Sequence, residues 1–532
     1  MGRGTHAVGL TTRAAITALT LGLLACTGAP AASATPAIEV LLPTEPLEID
    51  PRFVFDAQGL RLSRLLFSGL VTIDPHTLDV VPSLAERIDV DAAGTRVTAH
   101  LREGLTFSDG SALDADDVRA TYESVVDPAL GSRYRETYRR IARIETPDPR
   151  TVVFVLDGPH APFLTDLELP IVRAEDRAVH LRAEPTAPAA ALATSGPCRL
   201  VRRTERSWYL AARTEHPSAP AEGELAFTVV RDESTRALRL LGDGADVVPF
   251  AIAPLLVPAF EADPRFEVRS APGPGTAYLA MQTETLADPR VRRALAHALD
   301  RGAILASKFG ARAELASGFL PTAHWAHVPL TVPGFDPDAA RHLLDDAGLV
   351  DPPGEAPRLR LVMRTSSDRT RVAIARAMAA MWRHVGVEVE VRPSETAVLL
   401  ADLDAGRFDL ALLTLPEVLE PHVLHWFFAS ARTPGGPPNR FRWANADFDA
   451  ALENGRASVE RAERREAYRA AQELLARELP ALPLWHEHAV VVARRGLDLA
   501  APHDGRLGFL VPPRTAGADA APRPARSAEP AP

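Results

Sequence analysis

The stretch Leu101–Ser124, LREGLTFSDGSALDADDVRATYES, constrains the fold more than any other part of this chain. It reads as the end of a strand, a tight Ser108-Asp109-Gly110 turn and a capped helix. Gly104 and Gly110 stand where the backbone must turn sharply. The helix opens at Asp114 or Ala115, and Asp116 and Asp117 fall in its first turn, where carboxylates suit the positive end of the helix dipole. Asp109, Asp116 and Asp117 are therefore read as turn and cap residues rather than catalysts.

Elsewhere the chain alternates between strand and helix patterns. Ile38–Leu42 and Thr151–Leu156 are aliphatic, β-branched runs read as strands. Leu60–Leu70 has helical spacing with Gly69 as its stop, and short strands flank the turn Asp91-Ala92-Ala93-Gly94. Arg199–Arg213, Leu225–Val230, Ala245–Pro249, Thr276–Gln282, Leu359–Met363, Val387–Val391, Phe408–Leu415 and His488–Ala493 read as further strands. Helices are expected over Ser234–Leu241, Val291–Leu299 after Asp288-Pro289, Asp336–Ala347 before Gly348, Arg369–Val385 before Gly386, and Val459–Glu478. This alternation predicts an α/β fold, and 532 residues are enough for two or three cores. Ala183–Ala193 reads as an Ala/Pro-rich linker, and the tail from about Ala516 is expected to be disordered.

The N-terminus reads as a targeting segment. Arg3 and Arg13 precede the apolar Ala14–Ala25, which is too short to span a bilayer comfortably. Leu23-Leu24-Ala25-Cys26 has the form of a lipobox, and one of only two cysteines falls at its lipidated place. Ordinary cleavage after Ala32-Ser33-Ala34 is the alternative. The expected product is an exported, membrane-anchored lipoprotein on the periplasmic or outer cell face, otherwise soluble, since no other segment has the length and apolarity of a membrane span. Cys198 would then have no disulfide partner within the chain.

Charge and motifs narrow the function. The net charge is -10, from 59 basic and 69 acidic residues, which argues against nucleic acid as partner. Lys308 is the single lysine, which we attribute to a GC-rich genome. There is no G-x-S-x-G elbow, P-loop or Rossmann fingerprint, and Cys198 has no evident basic partner. Histidines cluster at His422/His425, His324/His327 and His486/His488, but without zinc-type or HExxH spacing, so neither a metal nor another cofactor is expected.

The Leu101–Ser124 run resembles the signature of the family 5 extracellular solute-binding proteins, the oligopeptide-, dipeptide- and nickel-binding components of ABC importers. The resemblance extends in the family's order over about Glu39 to Gly508. Leu286–Ile304 is similar to the family's DPRVRQALAYAIDR helix, Gly318–Pro321 to the turn after it, and Gly334–Leu349 to its YDPEKAKKLLAEAG helix. Ser195-Gly196-Pro197 stands at the family's T-G-P, and Arg442–Leu452 with Ala462–Trp485 resembles its C-terminal segment. The resemblance implies a bilobal, Venus-flytrap α/β fold with a two-strand hinge and an extra small domain. Carried over, the signal peptide is 1–25, lobe I is 38–70 with 193–272 and 482–513, the extra domain is 71–192, lobe II is 273–481, and 514–532 is the disordered tail.

It also implies a function and a site. The chain would capture a peptide or similar small solute between its lobes and deliver it to an ABC permease and its ATPase, without being an enzyme. A sensory or chaperone-like binding protein, or an exported hydrolase, is the alternative. The family's peptide binders hold the ligand backbone by β-augmentation and its α-ammonium by an Asp. The matching stretch here is Leu413–Pro421, which puts Glu417 at that Asp and Thr414 and Leu415 beside it. It departs from the family in three ways: Leu413-Thr414 replaces Gly-Trp, the acid is one methylene longer, and Pro416 has no N–H to donate. Phe55 and Ala57, in the segment Phe55–Gln58, form the second ligand-binding segment, with His425 and Trp426 following the acid loop. Glu420 is read as structural.

Overall fold

Runs of apolar or alternating residues build one large sheet that changes partners half-way along its longest strand. The computed structural model describes residues 37–182, 192–218, 223–354, 356–415, 417–430, 439–497, 499 and 505–511. Cys26, most of the 183–193 linker, Pro416 and the 514–532 tail lie outside the described residues.

Among the described residues, a twelve-stranded sheet has ten strands on one path, in the order Val387–Ser394, Leu359–Ser366, Leu410–Leu415, Thr276–Met281, Ala481–Arg494, Val247–Pro249, Ile38–Leu42, Glu224–Val229, Ser207–Ala212, Cys198–Arg203. Its two ends contain separate parallel groups. Leu359–Ser366 runs parallel to both Val387–Ser394 and Leu410–Leu415. Ile38–Leu42 runs parallel to Glu224–Val229 and pairs in parallel with Val247. The inner strands Ile38–Leu42 and Leu410–Leu415 are almost wholly apolar, as parallel strands covered on both faces must be, whereas the edge strand Val387–Ser394 alternates and exposes Glu388, Glu390 and Arg392.

Two segments connect these groups. The first is the Ala481–Arg494 strand. Its first half pairs with Thr276–Met281, while its second half pairs with Phe266–Pro272 and Val247–Pro249. The second is the short Pro272–Thr276 link between two of those partners. Gly273 donates to the Glu487 carbonyl at 3.2 Å, and a Cβ there would stand 2.6 Å from that oxygen, so only glycine allows the two crossing segments to touch.

Each group has its own core. Trp382, Met378 and Ile374 of the Arg369–Arg383 helix pack with Leu295, Leu344, Met363 and Leu410. Val40, Leu62, Leu66, Trp208, Phe227 and Val491 form a second core. A third unites Tyr278, Phe428, Phe448 and Tyr468. A separate four-stranded antiparallel sheet, in the order Ala85–Val90, Arg96–Leu101, Thr151–Leu156, Ile141–Asp148, packs on the Ala115–Val126 helix. That helix is capped at Asp114, one of the two openings read from sequence, and the cap is a full capping box: Asp114 receives the Asp116 amide at 2.8 Å, and Asp117 receives the Asp114 amide at 2.9 Å.

Several element limits differ from expectation. The first helix is Ala57–Leu66, begun three residues earlier by the side chain of Asp56, and it stops at extended Phe67 rather than at Gly69. Gly69 is instead a close-approach site, where a Cβ would lie 2.5 Å from the Glu168 carbonyl oxygen. Arg199–Arg213 is two strands of a hairpin, because Thr204 takes the Ser207 amide and turns the chain. The last strand begins at Ala481, not His488, since its first half finds a different partner.

Candidate functional site

Both sequence-predicted ligand segments leave the carboxyl ends of parallel strands, the position at which open α/β sheets build binding sites. From Leu42 the chain runs through 43–56 into the Ala57–Leu66 helix. From Leu415 it enters the loop that carries Glu417. The Val418 amide donates to the Pro274 carbonyl at 2.9 Å, which pins this loop to a crossing segment.

Glu417 meets Arg64 of the opposite segment. Arg64 Nη1 donates to both carboxylate oxygens, at 2.8 and 3.0 Å. Arg64 Nη2 reaches Glu168 at 3.4 Å, and Glu168 also receives both terminal nitrogens of Arg506. The result is a chain of four charged groups joining four distant parts of the sequence. Glu417 is about a quarter exposed, and Arg506 is almost fully buried. Burial pushes the Glu417 carboxyl up, but the guanidinium groups of Arg64, Arg506 and Arg61 outweigh it and hold the pKa at about 2. Arg61 donates to the Gly505 carbonyl at 3.0 Å and lies 4.5 Å over the Phe250 ring.

Thr414 is half-buried beside this loop and accepts a hydrogen bond from Arg371 at 2.7 Å. Arg371 stands 3.9 Å from Glu487, whose carboxylate takes the Trp485 indole N–H at 3.3 Å. Leu415 is buried and supports the loop from below. Phe55 is 56% exposed, with the Arg133 guanidinium 5.1 Å over its ring. Ala57 is exposed at the first turn of its helix. The structure thus joins the last turn of the Ala57–Leu66 helix, through Arg64, to Glu417 in the loop that follows the Leu410–Leu415 strand.

His425 and Trp426 lie on the short Val423–Phe428 helix. His425 stacks on His422 with ring centres 4.9 Å apart, and His422 bonds Tyr468 at 3.2 Å and faces His160 edge-on at 6.1 Å. His425 therefore stands in a histidine group at the far end of the loop, while Trp426 is half-buried next to it. Glu420 is held by Arg464, Thr165 and the His422 amide, in keeping with a structural role. His486 bonds Thr276 at 3.0 Å and His488 bonds Ser270 at 3.1 Å, each serving as a strand-to-strand tie. Among the described residues, no three His, Cys, Asp or Glu side chains are grouped to hold a metal ion. Burial pushes the Cys198 thiol up to about 12.

Sequence reasoning missed Arg64, Glu168, Arg506 and Arg371. One signal for Arg64 was available. Arg61 and Arg64 are three apart and are the charged residues of the run Leu60–Phe67, so a helix there carries both on one face.

The sequence family of bacterial extracellular solute-binding proteins, family 5 (middle region), matches residues 79–432. The chain belongs to that family. It is 28% identical to di/tripeptide-binding protein 2 of Pseudomonas aeruginosa, over 83% of this chain and 87% of the relative. With di/tripeptide-binding protein 4 of the same organism the identity is 30%, over 79% of this chain and 83% of the relative. The crystal structure of NikA from Brucella suis in complex with Fe(III)-EDTA superposes with a TM-score of 0.80 at 21% identity, covering 90% of this chain and all (100%) of that one. This family 5 protein therefore has the bilobal α/β fold of periplasmic binding proteins, its parallel groups linked by the two crossing segments. It is a binding protein of the transporter class, not an enzyme, which removes the hydrolase alternative. No helix among the described residues is long and apolar enough to cross a membrane.

Proposed function

We propose that this chain is the capture subunit of an ABC importer, taking a short peptide or a solute of similar size from outside the cell. Lobe I is 38–70, 193–272 and 482–513, the extra domain is 71–192, and lobe II is 273–481. The ligand lies between the Phe55–Ala57 segment and the Thr414–Glu417 strand end, and the closed, loaded form is what the permease and its ATPase receive. Closure comes from rotation about the two crossing segments, and ligand shifts the population towards the closed form by its differential affinity for it. The observation that carries this reading is the direct Arg64–Glu417 bridge between the segments that follow two separate parallel groups. The names of the relatives, di/tripeptide-binding proteins, support the peptide class.

The chain is anchored outside the membrane by lipid on Cys26. A single acyl chain binds a membrane only marginally, whereas several hold it stably. Labelling cells with radioactive palmitate tests the anchor: label should follow the intact chain and be lost in Cys26→Ala. Unchanged label in Cys26→Ala would refute it. The ligand class is tested by melting the mature protein with a panel of di- and tripeptides, each with a free and with an acetylated N-terminus. A ligand at 100 times its Kd stabilises by about 2.7 kcal/mol. A raised melting temperature with a subset of the panel is expected, and no shift with any short peptide would refute the peptide class.

A further inference from the structure

In the site proposed above, Glu417 is the carboxylate placed to hold a cationic group of a ligand. In this protein that carboxylate is already satisfied. One guanidinium nitrogen donates to both of its oxygens, and the same guanidinium is held from behind by Glu168, itself fixed by Arg506. Bidentate or doubly accepted charge-assisted bonds of this kind are among the stronger polar contacts in proteins, and they hold most firmly where water is partly excluded. Arg64 and Glu417 are each about a fifth to a quarter exposed, so the pair is neither a floppy surface contact nor a sealed core pair.

An ammonium group brought to Glu417 must do one of two things. It can displace Arg64, leaving that guanidinium beside Arg506 with Glu168 as their shared carboxylate. Or it can squeeze in next to Arg64, Arg61 and Arg506, the same cations that hold Glu417 ionised. Both routes place like charges together, which is how binding sites discriminate against a competitor. The residue before Glu417 is Pro416, which has no N–H with which to hold a ligand carbonyl in exchange.

We infer that Arg64 is the specificity-determining residue of this site: it takes the place of a ligand ammonium at Glu417, so the protein selects solutes whose amine is blocked or absent, with N-acylated short peptides as the representative class. The inference rests on the reading that these segments bound the ligand cleft. Arg64 then serves two ends. It closes the gap between the two segments without help from ligand charge, and it rejects free amines.

The test uses the mature full chain and two probes: a tripeptide mixture with free N-termini, and the same mixture N-acetylated. Capture from each is quantified by native mass spectrometry in direct competition. The wild-type protein should take acetylated over free peptides by roughly tenfold or more, and Arg64→Gln should lose or reverse that preference because Glu417 becomes available to an amine. Arg64→Lys should fall between the two, since it keeps the charge but cannot reproduce the planar guanidinium contact. A wild-type preference for free amines overturns the inference while leaving the peptide-binding proposal intact. Capture of neither mixture overturns both. If Arg64→Gln folds poorly, the wild-type ratio still suffices to overturn the inference, and Arg64→Lys, which keeps the charge, still tests the assignment to Arg64: a preference unchanged in Arg64→Lys would overturn it.

Discussion

Removing the carboxylate of Asp50 should destabilise this protein more than any substitution among its exposed charges. Asp50 and Arg52 are both fully buried in the segment that leads from the Ile38–Leu42 strand to Phe55. The Asp50 carboxylate accepts from the Arg52 amide at 3.0 Å, Arg52 Nε at 2.9 Å, Arg52 Nη2 at 2.7 Å and the Leu181 amide at 2.9 Å. Arg52 spends its remaining donors on the Arg177 and Val179 carbonyls and the Ser124 hydroxyl. Asp50→Ala keeps those carbonyl bonds but leaves a guanidinium without a counter-charge in a site with no water access. Breaking one side of a buried pair costs about 3–5 kcal/mol. Replacing both partners by apolar groups costs far less, so Asp50→Ala with Arg52→Met should recover most of the loss. The assay is urea unfolding followed by tryptophan fluorescence, with midpoint and slope compared among the three proteins. A loss below about 1 kcal/mol in Asp50→Ala, the size of a surface pair, would refute the argument. So would a double variant no better than the single one. The pair also fixes the approach to Phe55, so ligand-induced stabilisation should shrink in Asp50→Ala even where the protein remains folded.

Three further outcomes follow from the same structure. Glu417 has its pKa lowered from 4.5 to about 2, so its contribution to stability is full above pH 4.5 and is lost as pH falls through about 2; Glu417→Gln should flatten the acid limb of a stability–pH curve in that window and leave a wild-type-like slope near neutrality. Cys198, buried and with its thiol pushed up to about 12, should resist a thiol reagent at pH 8 until urea unfolds the chain, and rapid labelling of the native protein would contradict its placement. Trp382 is fully buried and donates its indole N–H to the Leu295 carbonyl at 2.9 Å, so Trp382→Ala should cost about 3–5 kcal/mol by the same urea assay, and a loss under 1 kcal/mol would show that the core collapses around it.

How far the sequence could be read depended on the range of the forces involved. Helix starts were the most legible features, because their causes are local. Asp114, Asp288 before Pro289, and Asp336 before Pro337 each accept an amide of the first turn within three residues of themselves. Glycines past helix ends were equally plain at Gly348 and Gly386, both with positive φ. Limits set by distant partners were not legible. The Ala481–Arg494 strand contains Pro483 and four charged or imidazole side chains, and it reads as extended over its whole length only because two different sets of strands pair with it. Gly69 carries no local sign that Glu168 presses against it 99 positions later. The candidate site divides the same way. The acid loop was nominated because Glu417 lies in a run that resembles the family's, but its hydrogen-bond partner Arg64 is 353 residues away, and no local pattern ties the two together.

If this family 5 protein closes on a small solute between the Phe55 and Glu417 segments, as proposed, the solute should survive gentle purification. The most direct measurement is native mass spectrometry of the mature chain purified without refolding, repeated after denaturation to identify what is released. The account predicts a bound mass of a few hundred daltons that dissociates on unfolding and resolves into short, amine-blocked peptides or solutes of that kind (about the size a cleft of roughly 300–1,000 Å³ holds). Release of a metal complex, or of no small molecule at all, would contradict it, whereas peptides bearing free amines whose retention depends on Glu417 would overturn only the amine selectivity assigned to Arg64.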